Sequence, residues 1–209
     1  MSETKIILVR HGETEWNRER RMQGHSDTPL SDTGLAQAEA LGRRLADSRF
    51  AALYSSDLSR AWHTAVVIAG RTGREVIADP RLRERRFGIF EGLTHEEMST
   101  RYPEEFARFR SRDPDYAMPG GESARAFRAR CLECLCEIAQ RHHGGEAVVV
   151  THGLVLDTLY RAAHDMAYDA PRGVPLLNGS LNVFSYAGGA WRVESWGDVG
   201  HLEPVSRES

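Results

Sequence analysis

The sequence predicts an α/β fold on a largely parallel sheet covered by helices on both faces, and three observations carry that prediction. Short apolar runs alternate with segments whose apolar residues recur every three or four positions, the β-α-β-α order of a parallel sheet. Two of those runs end alike, Ile6-Ile7-Leu8-Val9 in Arg10-His11-Gly12 and Val148-Val149-Val150 in Thr151-His152-Gly153. Near the end, two further runs flank Gly188-Gly189, the composition of a tight hairpin turn.

The elements follow in order. Residues 6–9 form the first strand. Ser31 caps a helix whose Leu35, Ala38, Leu41 and Leu45 make one apolar stripe. Residues 51–55 are a second strand, followed by a helix over about 58–69, and residues 75–78 make a short third strand. From Leu82 to about Ser123 the chain is polar and rich in Arg and Glu, holds two short helical stretches, and ends at Pro119-Gly120-Gly121. It reads as an insertion covering one end of the sheet. Residues 122–141 form a long helix and 147–150 an apolar strand; 154–180 receive no assignment, and 181–186 with 191–196 form the hairpin.

With 209 residues and 41% apolar side chains, the chain can bury a substantial core as one domain spanning 1–209. The apolar run after Lys5 is too short for a signal-peptide core, and no stretch reaches the roughly 20 apolar residues of a membrane span. A cytoplasmic protein without a membrane partner is expected. The net charge of -3 excludes a broad nucleic-acid footprint, so an anionic partner must meet a local cluster of positive groups. Lys5 is the only lysine among 27 basic residues, which removes the lysine-dependent phosphate loop and Schiff-base chemistry. Arginine must do any phosphate binding. Cys131, Cys134 and Cys136 share one helix with no second pair to complete a zinc site, so they read as helix-packing residues. His142 and His143, adjacent at that helix's end, read as solvated.

The two His-Gly turns point to chemistry. In open α/β sheets the carboxyl ends of the strands border the ligand crevice, so His11 and His152 converge if their strands are neighbours. The glycine after each histidine lets the backbone turn and a ligand approach. The second strand ends at Ser56-Asp57 and places Arg60 in the first turn of the next helix. Arg10, His11, Arg60 and His152 together make a site for a tetrahedral anion, because the arginine fork donates paired hydrogen bonds to phosphate oxygens and stays charged.

The stretch Leu8-Val9-Arg10-His11-Gly12-Glu13-Thr14-Glu15-Trp16-Asn17 resembles the signature of the histidine phosphatase, or phosphoglycerate-mutase-like, superfamily. The resemblance continues through Gln23-Gly24-His25-Ser26-Asp27-Thr28-Pro29-Leu30, Ser55-Ser56-Asp57-Leu58-Ser59-Arg60-Ala61, Leu82-Arg83-Glu84, Phe87-Gly88, Glu91-Gly92, Gly121-Glu122-Ser123 and Thr151-His152-Gly153. It implies a three-layer α/β/α sandwich with a largely parallel central sheet, a helical cap from the insertion and a C-terminal β-hairpin. His11 matches the nucleophile that becomes phosphohistidine, Arg10, Arg60 and His152 the phosphate clamp, and Glu84 the proton donor. Asn17, Gln23, Gly24 and Gly153 match further phosphate and substrate contacts. From charge pattern alone, Glu84 within Arg83-Glu84-Arg85-Arg86 would be a solvated loop residue; the resemblance reverses that.

The implied chemistry is phosphoryl transfer from a small phosphorylated metabolite, with no metal and no cofactor. His11 must attack through an unprotonated nitrogen, so its other nitrogen is expected to donate to a backbone carbonyl. Arg10 and Arg60 spread the developing charge, and His152 is expected to add a donor and a positive charge. Glu84 needs a raised pKa to hold its proton. Trp16 is expected beside the first loop, His63 on an exposed helix face, and His25 has no evident partner. The mutase branch tends to carry Thr-Gly-Trp where this chain has Gln23-Gly24-His25, and a lysine with an adjacent arginine pair where this chain has Thr94-His95 and Arg110-Ser111-Arg112. These departures favour a phosphomonoesterase of the histidine acid phosphatase type over a phosphoglycerate mutase. A non-catalytic phosphate-binding module would be expected to lack His11 or Glu84, and a homodimer is left open.

Overall fold

The structure, a computed structural model, describes residues 3–202. Four strands run parallel, β1 (Thr4–Arg10), β2 (Ala52–Ser55), β3 (Val76–Ala78) and β4 (Glu146–Thr151), and the hairpin of β5 (Leu181–Ala187) and β6 (Ala190–Asp198) adds antiparallel to β1. The sheet order is β3-β2-β4-β1-β5-β6, so β1 and β4 lie side by side at its centre. Gly188 and Gly189 have φ of 59° and 84°, which two residues of a type I′ turn require. A sheet this buried needs a helix layer on each face, and alternation along the strands supplies two cores. Ile7, Val9, Leu53, Val148 and Val150 pack under α2 (Asp32–Leu45) and α3 (Ser59–Thr72), which follow the one-turn α1 (Glu15–Arg18). Ile6, Leu8, Tyr54, Ala147 and Val149 pack under α6 (Ala124–Arg141) and α7 (Gly153–Ala163). The three-layer sandwich, its hairpin and its largely parallel sheet are as expected.

The insertion carries α4 (His95–Arg101) and α5 (Pro103–Arg110) over a small core of its own, centred on Phe87, Phe90, Met98, Tyr116 and Met118. Its two arms touch at Gly88, where a Cβ would lie 2.1 Å from the Pro119 carbonyl oxygen and φ is 52°, so only glycine fits. Ser31 caps α2 through its side chain as expected, while Leu35 is 47% exposed, so the buried stripe begins at Ala38. α7 went unassigned because Val155, Leu156, Asp157, Thr158 and Leu159 are all buried, and a helix buried around most of its girth shows no one-sided periodicity. His142 is not simply solvated: its Nε2 lies 3.0 Å from the Tyr54 hydroxyl. Cys131 and Cys134 are buried in the core, as helix-packing residues should be. No helix among the described residues is long and apolar enough to cross a membrane.

Candidate active site

Strand register brings the two histidines together. Arg10 pairs with Thr151 across β1 and β4, so the next residue on each strand, His11 and His152, leaves the sheet side by side. The His11 amide donates to the Thr151 carbonyl at 3.0 Å, and the imidazole centroids are 5.2 Å apart. Both rings are buried. Gly12 permits the turn after His11, where a Cβ would stand 2.4 Å from the Gly34 carbonyl oxygen.

The His11 tautomer is fixed by its own loop. Its Nδ1 lies 2.6 Å from the Gly12 carbonyl oxygen, which can only accept, so Nδ1 carries the proton and Nε2 keeps its lone pair. Burial, with Arg60 and Arg10 nearby, pushes the His11 pKa well below its ordinary 6.5. The ring is neutral at physiological pH, as a nucleophile must be.

Arg60 enters from the first turn of α3 and is 1% exposed, its guanidinium donating to the carbonyls of Gly24 (2.8 Å) and Ser26 (3.0 Å). Arg10 donates to the Leu176 carbonyl. Burial lowers both arginines to about 10, which still leaves them protonated at neutral pH. The Ser56 hydroxyl lies 2.8 Å from His152 Nε2 and accepts the Leu58 amide, so its own hydrogen is free for the ring. His152 Nδ1, Arg10 Nε and Arg60 Nε are buried without any hydrogen-bond partner. Buried N–H groups left unpaired are costly, and three on side chains around one histidine form a donor set for an oxyanion. The expected positive charge on His152 is corrected here, because burial and then Arg60 hold its pKa well below 6.5 and the ring is neutral.

Glu84 completes the group. Its carboxylate accepts the amides of Arg85 (2.8 Å) and Leu154 (3.1 Å), the latter in the first turn of α7. Burial outweighs those bonds and the attraction of Arg60 and Arg10, and its pKa is raised. The loop that carries it is tied down from four sides. Thr151 Oγ1 donates to the Leu82 carbonyl at 2.8 Å, Arg83 pairs with Asp57 at 2.6 Å, and Arg130 donates to the carbonyls of Arg81 and Arg83. His25 Nε2 lies 2.9 Å from the Glu84 carbonyl, so His25 gains the partner that the sequence did not reveal and helps to hold the Glu84 loop.

The remaining residues sit around this centre in mixed roles. Asn17 Oδ1 accepts from Thr14 and from Asn178 Nδ2 (3.2 Å), and Asn178 also donates to the His11 carbonyl at 3.1 Å. Gln23 is buried and accepts the Thr28 hydroxyl at 2.7 Å. Gly24 has φ of 53° and abuts Glu91, whose carboxylate ties His25, Ser26 and Phe87 together. Gly153 stands where a Cβ would lie 3.5 Å from Arg10 Nε. The Trp16 ring lies against Gly92 of the cap, and His63 is exposed as expected. Sequence reasoning missed Asn178, Arg130, Glu91 and the hydroxyl of Ser56; only Ser56 and Glu91 lie within its motifs. Among the described residues no group of three or more His, Cys, Asp or Glu could hold a metal ion.

The family model of the histidine phosphatase superfamily (branch 1) matches residues 6–199, from β1 through both His-Gly turns to the end of β6. Phosphoglycerate mutase-like protein 4 of Arabidopsis thaliana is 43% identical over 203 residues, covering 95% of this chain and 87% of its own. The Metal-independent phosphoserine phosphatase of the same plant is 42% identical over 205 residues, covering 97% and 84%. Among solved structures, YhfR of Bacillus stearothermophilus superposes with a TM-score of 0.87 at 40% identity, over 96% of this chain and all of that one. The chain is therefore an enzyme and belongs to the histidine phosphatase superfamily.

Proposed function

We propose that the protein hydrolyses small phosphomonoesters through a phosphohistidine on His11, as a phosphomonoesterase of the histidine acid phosphatase type. The observation that carries this reading is the fixed tautomer of His11, a neutral ring with its lone pair on Nε2, set among the unpaired N–H groups of Arg10, Arg60 and His152. Nε2 attacks phosphorus as the P–O bond to the leaving group breaks, and the three N–H donors take the charge on the equatorial oxygens. Glu84, whose pKa burial raises, gives its proton to the departing oxygen. Water then attacks phosphohistidine, the Glu84 carboxylate takes a proton from it, and orthophosphate leaves with His11 neutral again.

The mutase reading draws on the mutase-like relative and on Arg110 and Arg112, which both line the cavity beside the site. It is disfavoured because Arg112 is spent on the carbonyls of Asp169 and Ala170, and His95 stands on the same wall with no lysine. Supplying 3-phosphoglycerate with a catalytic amount of 2,3-bisphosphoglycerate, and following orthophosphate and 2-phosphoglycerate separately, decides between them. Orthophosphate is the expected product, with an acid-labile, alkali-stable phosphoenzyme that His11→Ala abolishes. Rapid isomerisation with little orthophosphate reverses the preference.

A further inference from the structure

A cavity of about 720 Å³ opens beside the phosphate site, between the cap and α6 and α7. Its inner end is formed by Arg85 and Leu154, whose amides hold Glu84. None of Arg10, His11, Arg60 or His152 lines it, so it is separate from the phosphate-binding groups and adjoins the site through the two residues that hold Glu84. Pockets of about 300–1,000 Å³ enclose drug-sized ligands, and a three-carbon leaving group would fill only a small part of this one.

The charge of the wall is lopsided, with six arginines facing a single carboxylate, Asp157. That carboxylate is shared, one oxygen 2.9 Å from Arg161 and the other 3.0 Å from Arg172. Arg85 is 3% exposed and spends its donors on the Glu122 and Tyr116 carbonyls and the Tyr168 hydroxyl, none of them an anion. Arg112 takes two backbone carbonyls. Arg110 and Arg128 are the two of the six whose side chains make no hydrogen bond or ion pair among the described residues. Arg110 is exposed on α5, whereas Arg128 is half-buried on the face of α6 that also turns Ala124 and Phe127 into the cavity. Phe87, Phe109 and Phe127 supply an apolar wall along which the Arg128 stem can lie. A half-buried guanidinium without an anion, in a cavity of net positive charge, is built to receive one.

We infer that Arg128 receives a second anionic group on the leaving group, separated from the scissile phosphate by more than a three-carbon chain. The inference rests on the hydrolase reading, which assigns the scissile phosphate to His11. It deepens that reading, because it names the substrate class as phosphomonoesters that are anionic at both ends and longer than phosphoglycerate.

The test measures binding to the His11→Ala protein by calorimetry, so that no turnover is needed. Two matched pairs serve as probes, 6-phosphogluconate against glucose 6-phosphate and 3-phosphoglycerate against glycerol 3-phosphate. The acid of the six-carbon pair is expected to bind about ten- to a hundredfold tighter than its neutral partner, the range of one charge-assisted hydrogen bond. The three-carbon pair is expected to discriminate less. Adding Arg128→Gln should remove most of the six-carbon preference and Arg128→Lys should restore part of it, a ratio that general damage to the fold would not move. Equal affinities within the six-carbon pair, a preference that survives Arg128→Gln, or equal discrimination in the short pair would overturn the inference. The hydrolase reading is scored separately, by orthophosphate release from the same four compounds with His11 intact.

Discussion

Replacing Glu84 by glutamine separates proton donation from shape. The carboxyl is held by the amides of Arg85 and Leu154, and glutamine keeps one acceptor for them while turning its amino group on the other. That mismatch is offset, because the raised pKa of Glu84 means its surroundings disfavour the charged form despite both bonds and both arginines. A neutral amide escapes the burial cost, so at pH 8 the melting temperature of Glu84→Gln should equal or exceed that of the parent. Catalysis should respond in the opposite sense. General acid catalysis contributes about 100- to 10,000-fold, or roughly 2.7 to 5.4 kcal/mol of barrier, to a leaving group that cannot depart unprotonated.

The assay is kcat/KM on an alkyl phosphate and on 4-nitrophenyl phosphate, each over a pH series. The alkyl ester should lose the full factor and the aryl ester, whose phenolate leaves unaided, about tenfold or less. The parent needs protonated Glu84, so its alkyl-phosphate rate should fall as pH rises through the raised pKa. Glu84→Gln should lose that basic limb. The acidic limb belongs to His11, whose neutral form persists well below pH 6.5, and it should be unchanged in the variant. Equal losses on the two esters, with the basic limb intact, would refute Glu84 as the acid.

Three further outcomes are expected. Activity should survive exhaustive chelation, since arginine and histidine N–H groups carry the charge stabilisation; loss on chelation with recovery on adding a divalent ion would contradict this. Gly34→Ala drives a Cβ to within 2.0 Å of the Glu13 carbonyl oxygen and should destabilise by about 1–3 kcal/mol, whereas Gly70→Ala in α3 meets nothing within 4 Å and should stabilise by about 0.4–1 kcal/mol; urea titrations that rank the two the other way would show the packing to be misread. His11 and His152 stay neutral when folded and take up protons near pH 6.5 when unfolded, so each lowers stability by about 1.4 kcal/mol per pH unit as pH falls below 6.5. Glu84 acts with the opposite sign in the window above 4.5, so the clean reading is the difference between the parent and His152→Asn, which should shrink on acidification; a constant difference between pH 7 and 5 would contradict it.

What the sequence reveals of this site divides by the kind of contact involved. His11 and His152 were legible because each follows a strand end directly, and Arg60 because it lies in the first turn of the helix after β2, so local sequence fixes where each leaves the sheet, and the register of β1 against β4 does the rest. Glu84 lies in a charged run with no periodicity, and only resemblance to a family could single it out. Its burial depends on Thr151, Asp57, Arg130 and His25, which come from four other places in the chain. Asn178 was invisible for the same reason, since it reaches His11 and Asn17 across more than 160 positions. The charge on His152 was misjudged because composition counts an imidazole beside phosphate-binding arginines as a cation. In the folded site burial first, and then those arginines, keep it from being one. That neutrality has a chemical consequence: a phosphate dianion arriving beside His152 would raise its pKa again, so the ring can gain its proton with the substrate and hold the added charge only while the phosphoryl group is bound.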